Sequence, residues 1–121
     1  MSKERRKAER VKVDLRVYWE GSLTQLEGSI VDLSITGCFI LSDDRVRLGE
    51  LIRVEIQPPK QGPLYVWGEV IYQIPEMGFA VHFTGADDDD LKRLGWLIKA
   101  ELHLSKKNPS KQSAADEYFM S

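Results

Sequence analysis

Residues 11–20 alternate without a break, with Val11, Val13, Leu15, Val17 and Trp19 in one phase and Lys12, Asp14, Arg16, Tyr18 and Glu20 in the other. Side chains of a strand point to opposite faces with a period of two, so this stretch buries one clean face only as a strand. A lone strand leaves its backbone donors and acceptors unpaired, and the rest of the chain has to supply partners. Further short strands follow at hairpin spacing. Gly21 and Ser22 end the first, and a second runs from Leu26 to Val31 before the polar turn Asp32-Leu33-Ser34. Cys38, Phe39, Ile40 and Leu41 make a third, closed by Ser42-Asp43-Asp44. Ile52, Val54 and Ile56 alternate with Arg53 and Glu55 until Pro58-Pro59, which has no N–H to offer a ladder. Residues 64–73 form a fifth strand and Gly78 to Phe83 a sixth, joined near Ile74-Pro75-Glu76 by a link short enough for a hairpin.

The period then changes. After Asp87-Asp88-Asp89-Asp90, the residues Leu91, Leu94, Leu97, Ile98 and Leu102 recur at helical spacing, and the aspartates fall at the positive end of that helix. Helix capping and solvation account for the four carboxylates without a metal. From Ser105 onward no period is visible, and residues 105–121 read as a disordered tail in which Tyr118-Phe119-Met120 is a chance apolar cluster. The expected fold is all-β: a six-stranded antiparallel barrel over residues 11–104, with a C-terminal amphipathic helix covering an open end and closure removing the sheet edges.

With 121 residues there is room for one core. No stretch is apolar enough to span a bilayer, and the polar start Met-Ser-Lys-Glu-Arg-Arg does not read as a signal peptide, so a cytoplasmic location is expected. Cys38 is the only cysteine, and the histidines are His82 and His103, too few for a zinc cage. Ser34, Asp32 and His82 supply the residue types of a hydrolase triad, but nothing in their spacing builds a nucleophile elbow, and no glycine-rich loop with a lysine is present. An enzyme is not expected. Cys38 reads as a small core residue, and His82 as an outward polar position beside Val81 and Phe83.

The charge is unevenly placed. Residues 1–16 carry seven cations against three anions, a net of +4, which leaves −6 for the rest of a chain whose total is −2. A cationic arm on an acidic body points to a local anion site, and argues against a broad DNA- or RNA-binding face. Two segments stand out together. One is Arg6-Lys7-Ala8-Glu9-Arg10, preceded by Arg5; the other is Asp32-Leu33-Ser34-Ile35-Thr36-Gly37. As a pair they resemble the signature of the PilZ domain family, an Arg-x-x-x-Arg segment before the first strand and an Asp/Asn-x-Ser-x-x-Gly turn after the second. The resemblance covers about residues 5–104 and extends to Gly68-Glu69-Val70-Ile71-Tyr72 and Met77-Gly78-Phe79-Ala80-Val81-His82-Phe83. It implies a six-stranded barrel that binds the bacterial second messenger cyclic di-GMP, with no resident cofactor, and that signals to a downstream protein the sequence does not name.

The residue types suit such a ligand. Its two phosphates and two guanines ask for cations, forked donors and carboxylate acceptors. Arg5, Arg6 and Arg10 offer guanidinium forks to phosphate or to guanine O6 and N7, and Asp32 accepts from guanine N–H groups. Ser34 offers a hydroxyl, and Gly37 either a close backbone approach or a positive φ. Residues 1–10 read as a flexible arm that the ligand pins across the barrel. The arm buries little, so Arg6→Ala and Arg10→Ala are expected to weaken binding and leave the melting temperature unchanged. The family's stacking aromatic falls on Tyr72, although strict alternation puts Tyr72 in phase with Leu64, Val66 and Val70; a bulge would bring it outside. The rival reading is a PilZ-like adaptor that binds no nucleotide and works through protein contacts alone.

Overall fold

The computed structural model describes residues 9–21 and 25–107, with the side chains of residues 25 and 105–107 left aside. The elements run β1 (Val11–Glu20), β2 (Gln25–Leu33), β3 (Gly37–Leu41), β4 (Leu51–Gln57), β5 (Leu64–Ile74), β6 (Gly78–Gly85) and α1 (Asp88–Lys107). The strands close into an antiparallel barrel in the order β1-β2-β3-β6-β5-β4. Pairing of β1 with β4, from Arg16 opposite Gln57 to Glu20 opposite Arg53, seals it.

The alternation in β1 is what fills the interior. Val11, Val13, Leu15, Val17 and Trp19 are all buried, and meet Ile30, Leu33, Ile40, Ile52, Val54, Ile56, Leu64, Val66 and Phe79 from the other strands. Each such side chain contributes about 1.5–3 kcal/mol on burial, and together they outweigh the ordering of short strands that are not stable alone. Trp19 and Phe79 meet edge to face, their centroids 5.0 Å apart.

Helix α1 covers the barrel through Leu94, Leu97 and Ile98, which belong to the same core, while Leu102 packs at its margin. Leu91, expected in that stripe, is exposed instead, because it lies in the first turn before the helix settles on the barrel. Arg93 ties the helix down by donating to the carbonyls of Pro63, at 2.8 Å, and Gly62. The helix continues to Lys107, past the boundary expected at residue 104. Gly95 sits inside α1, and a Cβ built there meets nothing within 4 Å. Gly95→Ala is therefore expected to raise stability by about 0.5–1 kcal/mol through helix propensity alone, read as a higher melting temperature.

Two departures from the sequence reading position the site. Asp32 and Leu33 are not in a turn: β2 runs through Leu33, and the turn begins at Ser34. A register shift between Ile30 and Asp32 in the β2–β3 ladder allows this, since it breaks the alternation and leaves Val31, Asp32 and Leu33 all buried. The second is a departure from strict alternation only: the slip between Val70 and Tyr72 in the β5–β6 ladder is the bulge that the sequence reading named for Tyr72. Both Ile71 and Tyr72 stand exposed beyond it.

Candidate functional site

The site lies on the outer wall of the barrel, where the start of β1, the end of β2, the β2–β3 turn and the middle of β6 come together. Arg10 precedes β1 by one residue, and Lys12 on β1 is the Cα partner of Asp32 on β2, so the ladder carries Arg10 to the carboxylate. Arg10 donates from Nε to Asp32 Oδ2 at 2.8 Å and from Nη2 to the same oxygen. The pair is asymmetric: the Arg10 side chain is 60% exposed and that of Asp32 only 1%. Asp32 Oδ1 is buried and has no hydrogen-bond partner among the described residues. An unsatisfied carboxylate oxygen costs stability, and in a native fold it marks a place where a further donor belongs.

Arg10 is therefore not independent of the fold. Arg10, expected to act on ligand alone, also neutralises a buried carboxylate; Arg5 and Arg6 lie outside the described residues. Ser34 is buried and builds the turn. Its Oγ accepts from the backbone N–H of Thr36 at 3.1 Å and of Gly37 at 3.2 Å, and lies 3.0 Å from Thr36 Oγ1. The Ser34 N–H donates to the Gly37 carbonyl at 2.8 Å. Gly37 is needed for close approach and not for a positive φ, since a Cβ there would sit 2.3 Å from the Val81 carbonyl oxygen. The turn is fastened to β6 by the Phe83 N–H, which donates to the Thr36 carbonyl at 2.8 Å.

Arg10, Ser34, Thr36, Gly37, Ile71, Tyr72, Ala80 and His82 border one depression of about 130 Å³. Beneath it Val31, Phe39 and Ala80 form a second small apolar cluster on the outside of the barrel. Phe39 braces Tyr72, with centroids 6.2 Å apart. Cys38 also borders the depression, but burial first and the Asp32 charge second push its thiol well above the ordinary cysteine range, against a smaller opposing effect of Arg10. It stays protonated and serves as core, not as a nucleophile. A larger depression, about 560 Å³, is lined by Asp87, Asp88, Asp89 and Asp90 with Tyr65 and Arg93. Its four carboxylates outnumber Arg93 and repel phosphate, whereas the smaller one is bordered by Arg10 and, among the described residues, by no carboxylate. Among the described residues no His, Cys, Asp and Glu cluster is arranged to hold a metal ion.

Sequence reasoning singled out Arg10, Asp32, Ser34, Gly37 and Tyr72; the fold gathers Arg10, Ser34, Gly37 and Tyr72 around one depression and buries Asp32 against Arg10. Thr36 and Ile71, which border the same depression, were not singled out, and His82 was taken for a bland outward residue. The alternation of β6 was enough to put His82 outside; that it faces Gly37 follows only from the β3–β6 register.

Comparison with known proteins agrees with this fold. The model of the PilZ domain family matches residues 4–100, and the chain belongs to that family. Comparison with curated proteins found no match. Among solved structures, the fold is similar to the PilZ domain of Escherichia coli YcgR determined with c-di-GMP, at 14% identity and a TM-score of 0.72 over 88% of this chain and 98% of that one. It is also similar to the Bacillus subtilis inhibitor of motility MotI, at 18% identity and a TM-score of 0.67, covering 82% of this chain. K. pneumonia MrkH, described as a c-di-GMP-dependent transcription regulatory factor, aligns at 17% identity and a TM-score of 0.66 over 81% of this chain. The chain spans about half the length of MotI and of MrkH, 52% and 51% respectively. No helix among the described residues is long and apolar enough to cross a membrane.

Proposed function

We propose that this chain is a receptor for cyclic di-GMP, and that the ligand sits over the depression beside Arg10. The observation that carries the reading is the buried Asp32 carboxylate, with one oxygen held by Arg10 and the other without a partner among the described residues. A guanine presents adjacent N–H donors on its N1/N2 edge, which suit the unpartnered oxygen once the Arg10 side chain above it shifts, while its O6 and N7 and the phosphates suit guanidinium forks. In this reading Arg5 and Arg6 reach over from residues 1–10 to the phosphates. Ser34 and Gly37 hold the turn at the distance the ligand needs, and Tyr72 offers a ring face. The structures of YcgR and of Borreliella burgdorferi PlzA with c-di-GMP support the choice of ligand.

Output follows from the arm. Ligand that bridges Arg5, Arg6 and Arg10 joins the N-terminal segment to the barrel wall, and a downstream protein reads the new surface. The −6 outside the first sixteen residues opposes direct DNA or RNA binding by the barrel. Calorimetry and thermal unfolding test the proposal. Cyclic di-GMP is expected to bind and to raise the melting temperature, as any ligand specific for the native state does, and GTP to do far less. Binding is also expected to weaken as salt rises, since arginine–phosphate attraction is screened. Equal stabilisation by GTP, or none by cyclic di-GMP, rejects the receptor and leaves an adaptor that works by protein contacts.

A further inference from the structure

One wall of the depression lies outside both motifs. His82 on β6 is the Cα partner of Gly37 on β3 and of Glu69 on β5. It is exposed, and it borders the same depression as Arg10 and Tyr72. Two residues back on the same face, Ala80 is the partner of Phe39 on one side and of Tyr72 on the other. Tyr72 and His82 thus stand on adjacent strands, one register step apart. Next to them lie the two smallest side chains of that surface, Gly37 and Ala80.

This arrangement leaves flat space. Ala80 keeps the ground between the two side chains low, and position 37 has no side chain to add because a Cβ there would meet the Val81 carbonyl oxygen at 2.3 Å. Tyr72 is braced from behind by Phe39, so its ring is held on its side of the gap. The floor below is the apolar cluster of Val31, Phe39 and Ala80, which has no polar side-chain group to offer a base edge. A planar heteroaromatic group entering here is held by its faces, and its edge is left to the polar groups that border the depression, Arg10 first among them.

We propose that His82 and Tyr72 are the two walls of a slot for one purine base, with the His82 imidazole stacking on the face opposite Tyr72. This rests on the reading of the site as a cyclic di-GMP site and adds to it a specificity-determining residue outside the Arg-x-x-x-Arg and Asp-x-Ser-x-x-Gly segments. A ring on each side recognises any planar base without reading its edge, and the Arg10 guanidinium bordering the same depression then favours guanine through O6 and N7.

The test is calorimetric titration of cyclic di-GMP into the wild type, His82→Ala, His82→Phe, Tyr72→Ala and the His82→Ala/Tyr72→Ala double variant, with thermal unfolding of each. His82→Ala is expected to bind about tenfold more weakly, and His82→Phe to stay within about twofold of wild type, because stacking needs a ring and not its nitrogens. The double variant is expected to lose less than the product of the single losses, since a base released from one wall gains little from the other. Both side chains are exposed, so melting temperatures should hold. Wild-type affinity in His82→Ala overturns the slot, as does a His82→Phe variant as weak as His82→Ala, which would assign the histidine to hydrogen bonding. A folded wild type that does not bind cyclic di-GMP overturns the receptor reading and the slot with it.

Discussion

Replacing Arg10 with alanine is expected to weaken cyclic di-GMP binding by about 30-fold or more and, at the same time, to lower the stability of the free protein. The first effect is the loss of a charge-assisted contact at a partly desolvated site, commonly about 2–5 kcal/mol. The second comes from Asp32. Its side chain is 1% exposed and, among the described residues, both hydrogen bonds to its Oδ2 come from Arg10, so the variant leaves a buried carboxylate with neither oxygen supplied from that side. A cost of about 1–3 kcal/mol is expected, moderated because the Arg10 side of the pair is open to water. Arg10→Lys should not restore the pair, since one ammonium does not reproduce the Nε and Nη2 fork. Arg6→Ala is the contrasting case, with affinity reduced and the melting temperature kept. Calorimetry and thermal unfolding on the three variants check this. An Arg10→Ala protein as stable as wild type would show that the Arg10–Asp32 pair contributes nothing to the fold.

Gly37→Ala is expected to lose about 1–3 kcal/mol of stability and more than tenfold in cyclic di-GMP affinity. The added methyl would lie 2.3 Å from the Val81 carbonyl oxygen and 3.4 Å from its carbon, both backbone atoms of the neighbouring strand. Neither can turn aside as a side chain would, so β3 has to move away from β6. That movement pulls on the bond from the Phe83 N–H to the Thr36 carbonyl and on the Ser34 turn, and it shifts the wall on which the ligand is proposed to sit. Gly95→Ala adds the same methyl where nothing lies within 4 Å, and its opposite effect on melting temperature separates a steric cause from a general one. Undiminished stability in Gly37→Ala would mean the two strands are not held at this distance in solution.

Much of this barrel was readable from hydropathy alone. The unbroken phase of residues 11–20 is the buried face of β1, and the same alternation locates β4, while β6 was located although Gly78 to Val81 are buried in succession. The switch to helical spacing after Asp90 locates the part of α1 that covers the barrel, through Leu94, Leu97 and Ile98. Where the alternation is broken, the reading failed or was left open. Val31, Asp32 and Leu33 are buried in succession, which looks like the end of a strand and a turn until the register shift beside Ile30 is known. Tyr72 could not be placed inside or outside without the slip after Val70. A bulge leaves no mark in composition, because it arises from how two strands of different curvature share one ladder.

The residue types at the site were legible for a related reason. Cations crowded into the first sixteen residues and an Asp-x-Ser-x-x-Gly segment are local facts of the chain, and the sequence alone determined their chemistry and the strands they flank. Only the tertiary structure decided that Asp32 is buried beneath Arg10, that Ser34 spends its hydroxyl on the turn, and that His82 stands across from Gly37. Those relations depend on pairing β3 with β6, strands separated in sequence by β4 and β5 and brought together by closure of the barrel. A period of two tells each residue which face it occupies. It cannot tell which residue stands opposite, because that is set by the register in which the barrel closes around its shared core.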